Sequence, residues 1–94
     1  MNKSIRNKHR SGKLLEAIGY TPLRMFGLNG VFDLVGLAAS DLVLVKVITD
    51  AEPTAATIEA IRKIPAPANC RKLVHVWLPG RRHPQVTEVT HTQP

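Results

Sequence analysis

Each of the two apolar runs in the most apolar stretch of the chain carries one charged residue. These residues are Asp33 and Lys46, in the run GVFDLVGLAASDLVLVKV from Gly30 to Val47. The run is broken once, by Ala38-Ala39-Ser40-Asp41, so it reads as two strands joined by a tight antiparallel turn. With that turn centred on Ala39-Ser40, Leu37 faces Leu42, Val35 faces Leu44 and Asp33 faces Lys46. A carboxylate and an ammonium then share one face with Val35, Leu37, Leu42, Leu44 and Ile48, while Val43, Val45 and Val47 fill the other. Breaking such a pair on an apolar face costs ~3 to 5 kcal/mol, so both members matter to the fold whatever else they do.

The second source of chemistry is positive charge. Met1 to Lys13 carries Lys3, Arg6, Lys8, Arg10 and Lys13 and no acidic residue. A helix would gather Lys3, Arg6, Arg10 and Lys13 into one stripe beside a docking patch of Leu14, Leu15 and Ile18. Arg81, Arg82 and His83 lie in the turn Pro79 to Pro84, where they either grip phosphate or form a solvated tip. Arg62, Arg71 and Lys72 are expected to be exposed and to add to the same phosphate-binding surface. His75, between Leu73 and Trp77, reads as a core or sheet-face histidine with a hydrogen-bond partner, Trp77 as packing, and Cys70 as a small connector residue.

These side chains must be positioned by a short series of elements. Residues 1–12 are either a basic tail or the start of a helix that Ser4 could cap and Gly19 would end, with Gly12 weakening its middle by roughly 1 kcal/mol. Tyr20 to Met25 reads as a strand that Pro22 restricts to an edge, and Phe26 to Gly30 as a turn. Pro53 marks a helix entry, and the helix runs from about Thr54 to Ile64 with Thr57, Ala60, Ile61 and Ile64 as its core face, Ile58 alongside, and a Glu59 to Lys63 pair outside. Pro65 stops it. Arg71 to Leu78 and Val86 to Thr90 are the last two strands, with fraying expected from Thr92. The order α-β-β-β-α-β-β implies an α/β domain, residues 13–91, with a central mixed sheet flanked by two helices.

Composition limits what such a domain does. At 94 residues the chain holds one domain, and its single cysteine excludes an internal disulfide and a thiolate metal cage. No apolar run approaches the ~20 residues of a bilayer span, so a soluble, cytoplasmic protein that does not enter membranes is expected. A formal net charge of +6 favours a polyanionic partner, of which nucleic acid is the commonest.

The phrases LLEAIGY (Leu14 to Tyr20), GVFDLVGL (Gly30 to Leu37), LVLVKV (Leu42 to Val47) and PAPANCRKLVHVW carry a resemblance. Over about Lys13 to Val89 the chain resembles the PD-(D/E)xK nuclease superfamily, in particular its small Holliday-junction-resolvase-like members. The resemblance implies a restriction-endonuclease-like fold, DNA as the first partner with RNA as a second, and a homodimer. It places Asp33 where the superfamily holds Mg²⁺ or Mn²⁺, Lys46 where a lysine activates the attacking water, and Glu16 as an added catalytic acid from the first helix. Leu44 stands where the superfamily carries a second acidic group, a departure that bears directly on metal binding. Two functions therefore stay open. One is a metal-dependent DNA endonuclease or junction resolvase with a degenerate site. The other is a non-enzymatic basic subunit that binds RNA or DNA or joins a larger assembly.

Overall fold

Asn2, rather than Ser4, starts the first helix. Its side-chain oxygen accepts the Ile5 N–H at 2.9 Å, so the computed structural model, which describes residues 2–90 except the side chain of Leu28, has α1 over Lys3–Ala17. Asparagine caps as well as serine does, and starting two residues earlier draws the whole basic segment into the helix. Gly19 ends it at φ +98°, donating its N–H to Glu16. The side that docks is Asn7, Ser11, Gly12 and Leu15, with Leu14 packed partly buried against the same layer; of the expected Leu14, Leu15 and Ile18, only Ile18 stays outside. Ile18 is the C-cap residue and stays 65% exposed, whereas small and polar side chains let α1 approach polar groups on the sheet.

The other elements follow in the order the sequence implies. They are β1 (Thr21–Arg24), a single 3-10 turn (Leu28–Gly30), β2 (Leu34–Leu37), β3 (Leu42–Thr49), α2 (Ala55–Lys63), β4 (Cys70–Trp77) and β5 (Gln85–Val89). The five strands form one mixed sheet in the order β1-β2-β3-β4-β5. Only β3 and β4 are parallel, and α2 is the crossover that such a pair requires. The central hairpin has the register set by its short turn, with Leu37 opposite Leu42 and Val35 opposite Leu44. Strand β2 begins at Leu34, so Asp33 lies one residue outside it, still fastened by its N–H to the Val45 carbonyl at 2.8 Å.

Alternation then sorts the core into two layers. On the α1 side, Leu15 packs with Leu34, Val43, Val45, Val47, Leu73 and Trp77. On the α2 side, Ile61 packs with Phe32, Leu44, Val74, Val76 and Val89. Helix α2 meets this layer along the narrow stripe Ile58, Ile61 and Ile64, and Ala60 points to solvent instead of into the core. Glu59 pairs with Arg62, one turn away, rather than with Lys63.

The largest departure from expectation is Lys72. By alternation it shares a face with Val74 and Val76, and it is 0% exposed. Its ammonium donates to the carbonyls of Ile61 (2.9 Å), Arg62 (3.2 Å) and Ile64, which end α2. Pro65 follows the helix and has no N–H, and no glycine is present there to fold the chain back on those carbonyls. The ammonium is a C-cap delivered from the sheet, and its burial withdraws it from the expected phosphate-binding surface.

Two glycines give opposite expectations for the same change. A Cβ on Gly36 would lie 2.9 Å from Val43 Cγ2 and 3.1 Å from Tyr20 Cβ, in the seam between α1 and the hairpin. Gly36→Ala is expected to destabilise by about 1–3 kcal/mol. At Gly12 the same Cβ would meet Pro22 at 3.8 Å, an ordinary contact inside a helix, so Gly12→Ala should stabilise by about 0.5–1 kcal/mol. Urea unfolding midpoints moving in opposite directions check both.

No described helix is long and apolar enough to cross a membrane. The fraying expected from Thr92 lies outside the described residues.

Candidate functional site

The ends of the strands gather charge at one edge of the sheet. The registers put Arg24, the last residue of β1, beside Leu34, the first of β2, and Leu34 beside Val45; β3 and β4 run on in the same direction to Thr49 and Trp77, ~13 Å beyond that level. Helix α1 crosses the same end. Its Asn7 amide donates to Thr49 Oγ1 at 3.0 Å, and Lys3 Nζ lies 3.1 Å from Asp50.

Asp33 and Lys46 meet there, as the hairpin register requires. Lys46 Nζ lies 3.7 Å from Asp33 Oδ2 and donates to the Gly30 carbonyl at 3.0 Å. The same carboxylate oxygen accepts the Val47 N–H at 2.7 Å. The chain bends between Val31 and Asp33, and this turns the other oxygen toward α1, where Lys8 Nζ lies 3.4 Å from Oδ1. Asp33 is thus a buried carboxylate enclosed by two ammoniums and a backbone donor.

The donor set does not fit Mg²⁺ or Mn²⁺. A hard divalent ion needs several oxygen ligands, and Leu44 supplies none where a second acid would stand. Glu16 is not brought to Asp33. It lies eight residues beyond Lys8, ~12 Å along α1, and pairs with Lys13 at 3.4 Å. Asp41 is at the opposite end of β3, where it accepts from the Tyr20 hydroxyl, and that hydrogen bond raises the phenol pKa. Among the described residues no three of His, Cys, Asp and Glu come together. An added cation would compete with Lys8 and Lys46 for one carboxylate.

The basic residues converge more fully. Arg10 lies 3.9 Å above the Trp77 ring and donates to Asn7 Oδ1 (3.2 Å) and to the carbonyls of Arg81 (3.0 Å) and Arg82 (3.3 Å). It fastens the β4–β5 turn to α1. Lys3, Arg6, Arg10 and Arg81 consequently line one groove together with Trp77 and Asp50, the partner of Lys3, although they come from segments some seventy residues apart. The exposed side chains of Arg6, Arg81 and Arg82 have no acidic partner among the described residues.

The remaining candidates fall elsewhere. Lys8 is on Asp33, Lys13 on Glu16 and Arg62 on Glu59. Arg71 lies at the far end of the sheet, 4.0 Å from Glu88. Lys72 is buried, and burial lowers its pKa. Cys70 is also buried, with its thiol pKa raised by desolvation, so it is no nucleophile.

Sequence reasoning missed Lys8 as a partner of Asp33 and Ser11 as the hub of a buried polar cluster. Asn7, Ser11 and Leu15 recur every four residues, and that small, polar stripe was the available signal. Ser11 Oγ accepts the Trp77 Nε1–H at 2.8 Å and lies 2.9 Å from His75 Nδ1. The indole can only donate, which leaves the hydroxyl proton for a neutral imidazole. Burial holds the His75 pKa down to about 4. The folded state therefore binds fewer protons than the unfolded one between pH 6.5 and 4. Stability is fully present above about pH 6.5 and falls by about 3 kcal/mol toward pH 4. Urea unfolding across that window should show a steeper loss for the wild type than for His75→Asn.

No family model, curated protein or solved structure matches the chain.

Proposed function

We propose that this chain is a nucleic-acid-binding protein on a restriction-endonuclease-like fold, and that it holds the phosphate backbone without cutting it. The observation that carries this reading is the clamp made by Arg10, which joins two distant basic segments into one groove while Arg6, Arg81 and Arg82 have no acidic partner among the described residues. Cations without carboxylate partners, fixed to rigid elements, are what a polyphosphate needs. The expected fold supports the choice of nucleic acid over other polyanions, since the element order and the Asp33 to Lys46 pairing are those of the resemblance.

The same geometry disfavours cleavage. Lys8 and Lys46 already neutralise Asp33, so the charge that a metal would supply is built into the chain. The test is equilibrium binding of labelled DNA and RNA at low salt, with and without Mg²⁺ or Mn²⁺. Binding weakened by the divalent ion, with the oligonucleotide intact, is expected. Metal-dependent cleavage that Asp33→Asn abolishes would restore the nuclease reading, and no binding at low salt would remove both.

A further inference from the structure

We propose that the loop between β1 and β2 is a base-stacking platform, so that the preferred ligand is single-stranded nucleic acid laid across the strand ends. This rests on the phosphate-binding reading above and names the class of nucleic acid. Phe26 is 83% exposed, the most solvent-accessible of the large apolar side chains described, and contributes nothing to either core layer. The backbone on either side of it is hydrogen-bonded to the sheet and across the turn. Met25 donates to the Asp33 carbonyl at 3.0 Å, Gly30 donates to Gly27 at 3.1 Å, and Lys46 holds the Gly30 carbonyl from below. Gly27, Asn29 and Gly30 all take positive φ as the chain turns, and Arg24 lies 5.6 Å from the centre of the Phe26 ring.

An aromatic ring with a guanidinium on it is a stacking surface with its own phosphate neutraliser. Phe26 leaves β1 at the same end of the sheet that carries Lys46, Lys8 and the Arg6 to Arg81 groove. From β1 to β4 the sheet is ~14 Å wide at the usual strand spacing, and Trp77 lies ~13 Å further along the strands than Arg24, so a single strand runs diagonally from ring to groove over a few nucleotides. Duplex bases are stacked on one another and present no free face. Only an unpaired strand offers Phe26 a base while its backbone follows the cations. A protein partner would cover Phe26 with apolar surface, whereas the group on the ring is the Arg24 guanidinium, which suits a base followed by its phosphate.

The experiment is fluorescence anisotropy with labelled single strands of about twelve nucleotides, DNA and RNA of one sequence as separate arms, beside an abasic strand of equal length. Phe26→Ala should weaken the base-containing strand by about ten-fold in either arm and leave the abasic strand unchanged, with Phe26→Tyr restoring affinity. Equal losses for intact and abasic strands, or no loss for either, overturn the platform while leaving the cationic surface standing. Failure of the wild type to bind any of the three strands at low salt removes the underlying reading, and the platform with it. Phe26 lies outside the core, so its substitution leaves the fold intact.

Discussion

Replacing Lys72 by methionine is expected to cost about 3 kcal/mol and to lower the unfolding temperature by roughly 15 °C. Methionine keeps the apolar stem and volume but removes the ammonium, leaving the carbonyls of Ile61, Arg62 and Ile64 without that donor. A hydrogen bond to a charged donor contributes about 1.5–3 kcal/mol, and three of them more than offset the desolvation of one ammonium. Nucleic-acid affinity should stay within about two-fold of wild type, because a residue 0% exposed contacts no backbone phosphate. A stability change below about 0.5 kcal/mol would show that water caps α2 equally well. Loss of binding with stability retained would return Lys72 to the interface.

The second large effect is on binding. Arg6→Ala, Arg81→Ala and Arg82→Ala combined should weaken single-stranded nucleic acid by about 10²-fold at low salt, on ~1 kcal/mol for each phosphate contact. Because these side chains are exposed and lack acidic partners among the described residues, the unfolding midpoint should move by no more than ~1 °C. Arg10→Ala is a different experiment. It removes the cation over Trp77 and the donors to Arg81 and Arg82, so it releases the turn and changes stability as well as affinity. The clean separation of charge from scaffold is therefore at Arg6, Arg81 and Arg82.

How much of this was legible depended on whether a feature was local. The register of the central hairpin followed from a short turn and alternation, so the Asp33 to Lys46 pairing could be placed before any coordinates. Of the four cations expected in one stripe on α1, Lys3, Arg6 and Arg10 line the groove, as helical spacing dictates, while Lys13 pairs with Glu16. Lys72 was not legible, because its partners are carbonyls, which every residue has. Its signal was indirect: a lysine on the face of Val74 and Val76, and a helix ending at Ile64-Pro65 with no glycine to close it. Lys8 was misplaced because the bend at Val31 to Asp33 breaks the alternation and lets one carboxylate reach both helix and strand. Ala60 was misplaced because α2 has only nine residues and buries a stripe one residue wide. The convergence of α1 with the β4–β5 turn required knowing which end of the sheet α1 crosses, and strand order alone does not fix that.

The phosphate-binding surface is tested most directly by the salt dependence of affinity for a single-stranded oligonucleotide, measured on the wild type and on the Arg6, Arg81 and Arg82 triple variant. A log–log plot of affinity against salt should be linear and falling for both proteins, and shallower by about two units of slope in the variant, at ~0.7 unit for each phosphate no longer neutralised. Parallel plots for the two proteins, or a wild-type affinity indifferent to salt, would contradict the assignment of this end of the sheet to the nucleic-acid backbone.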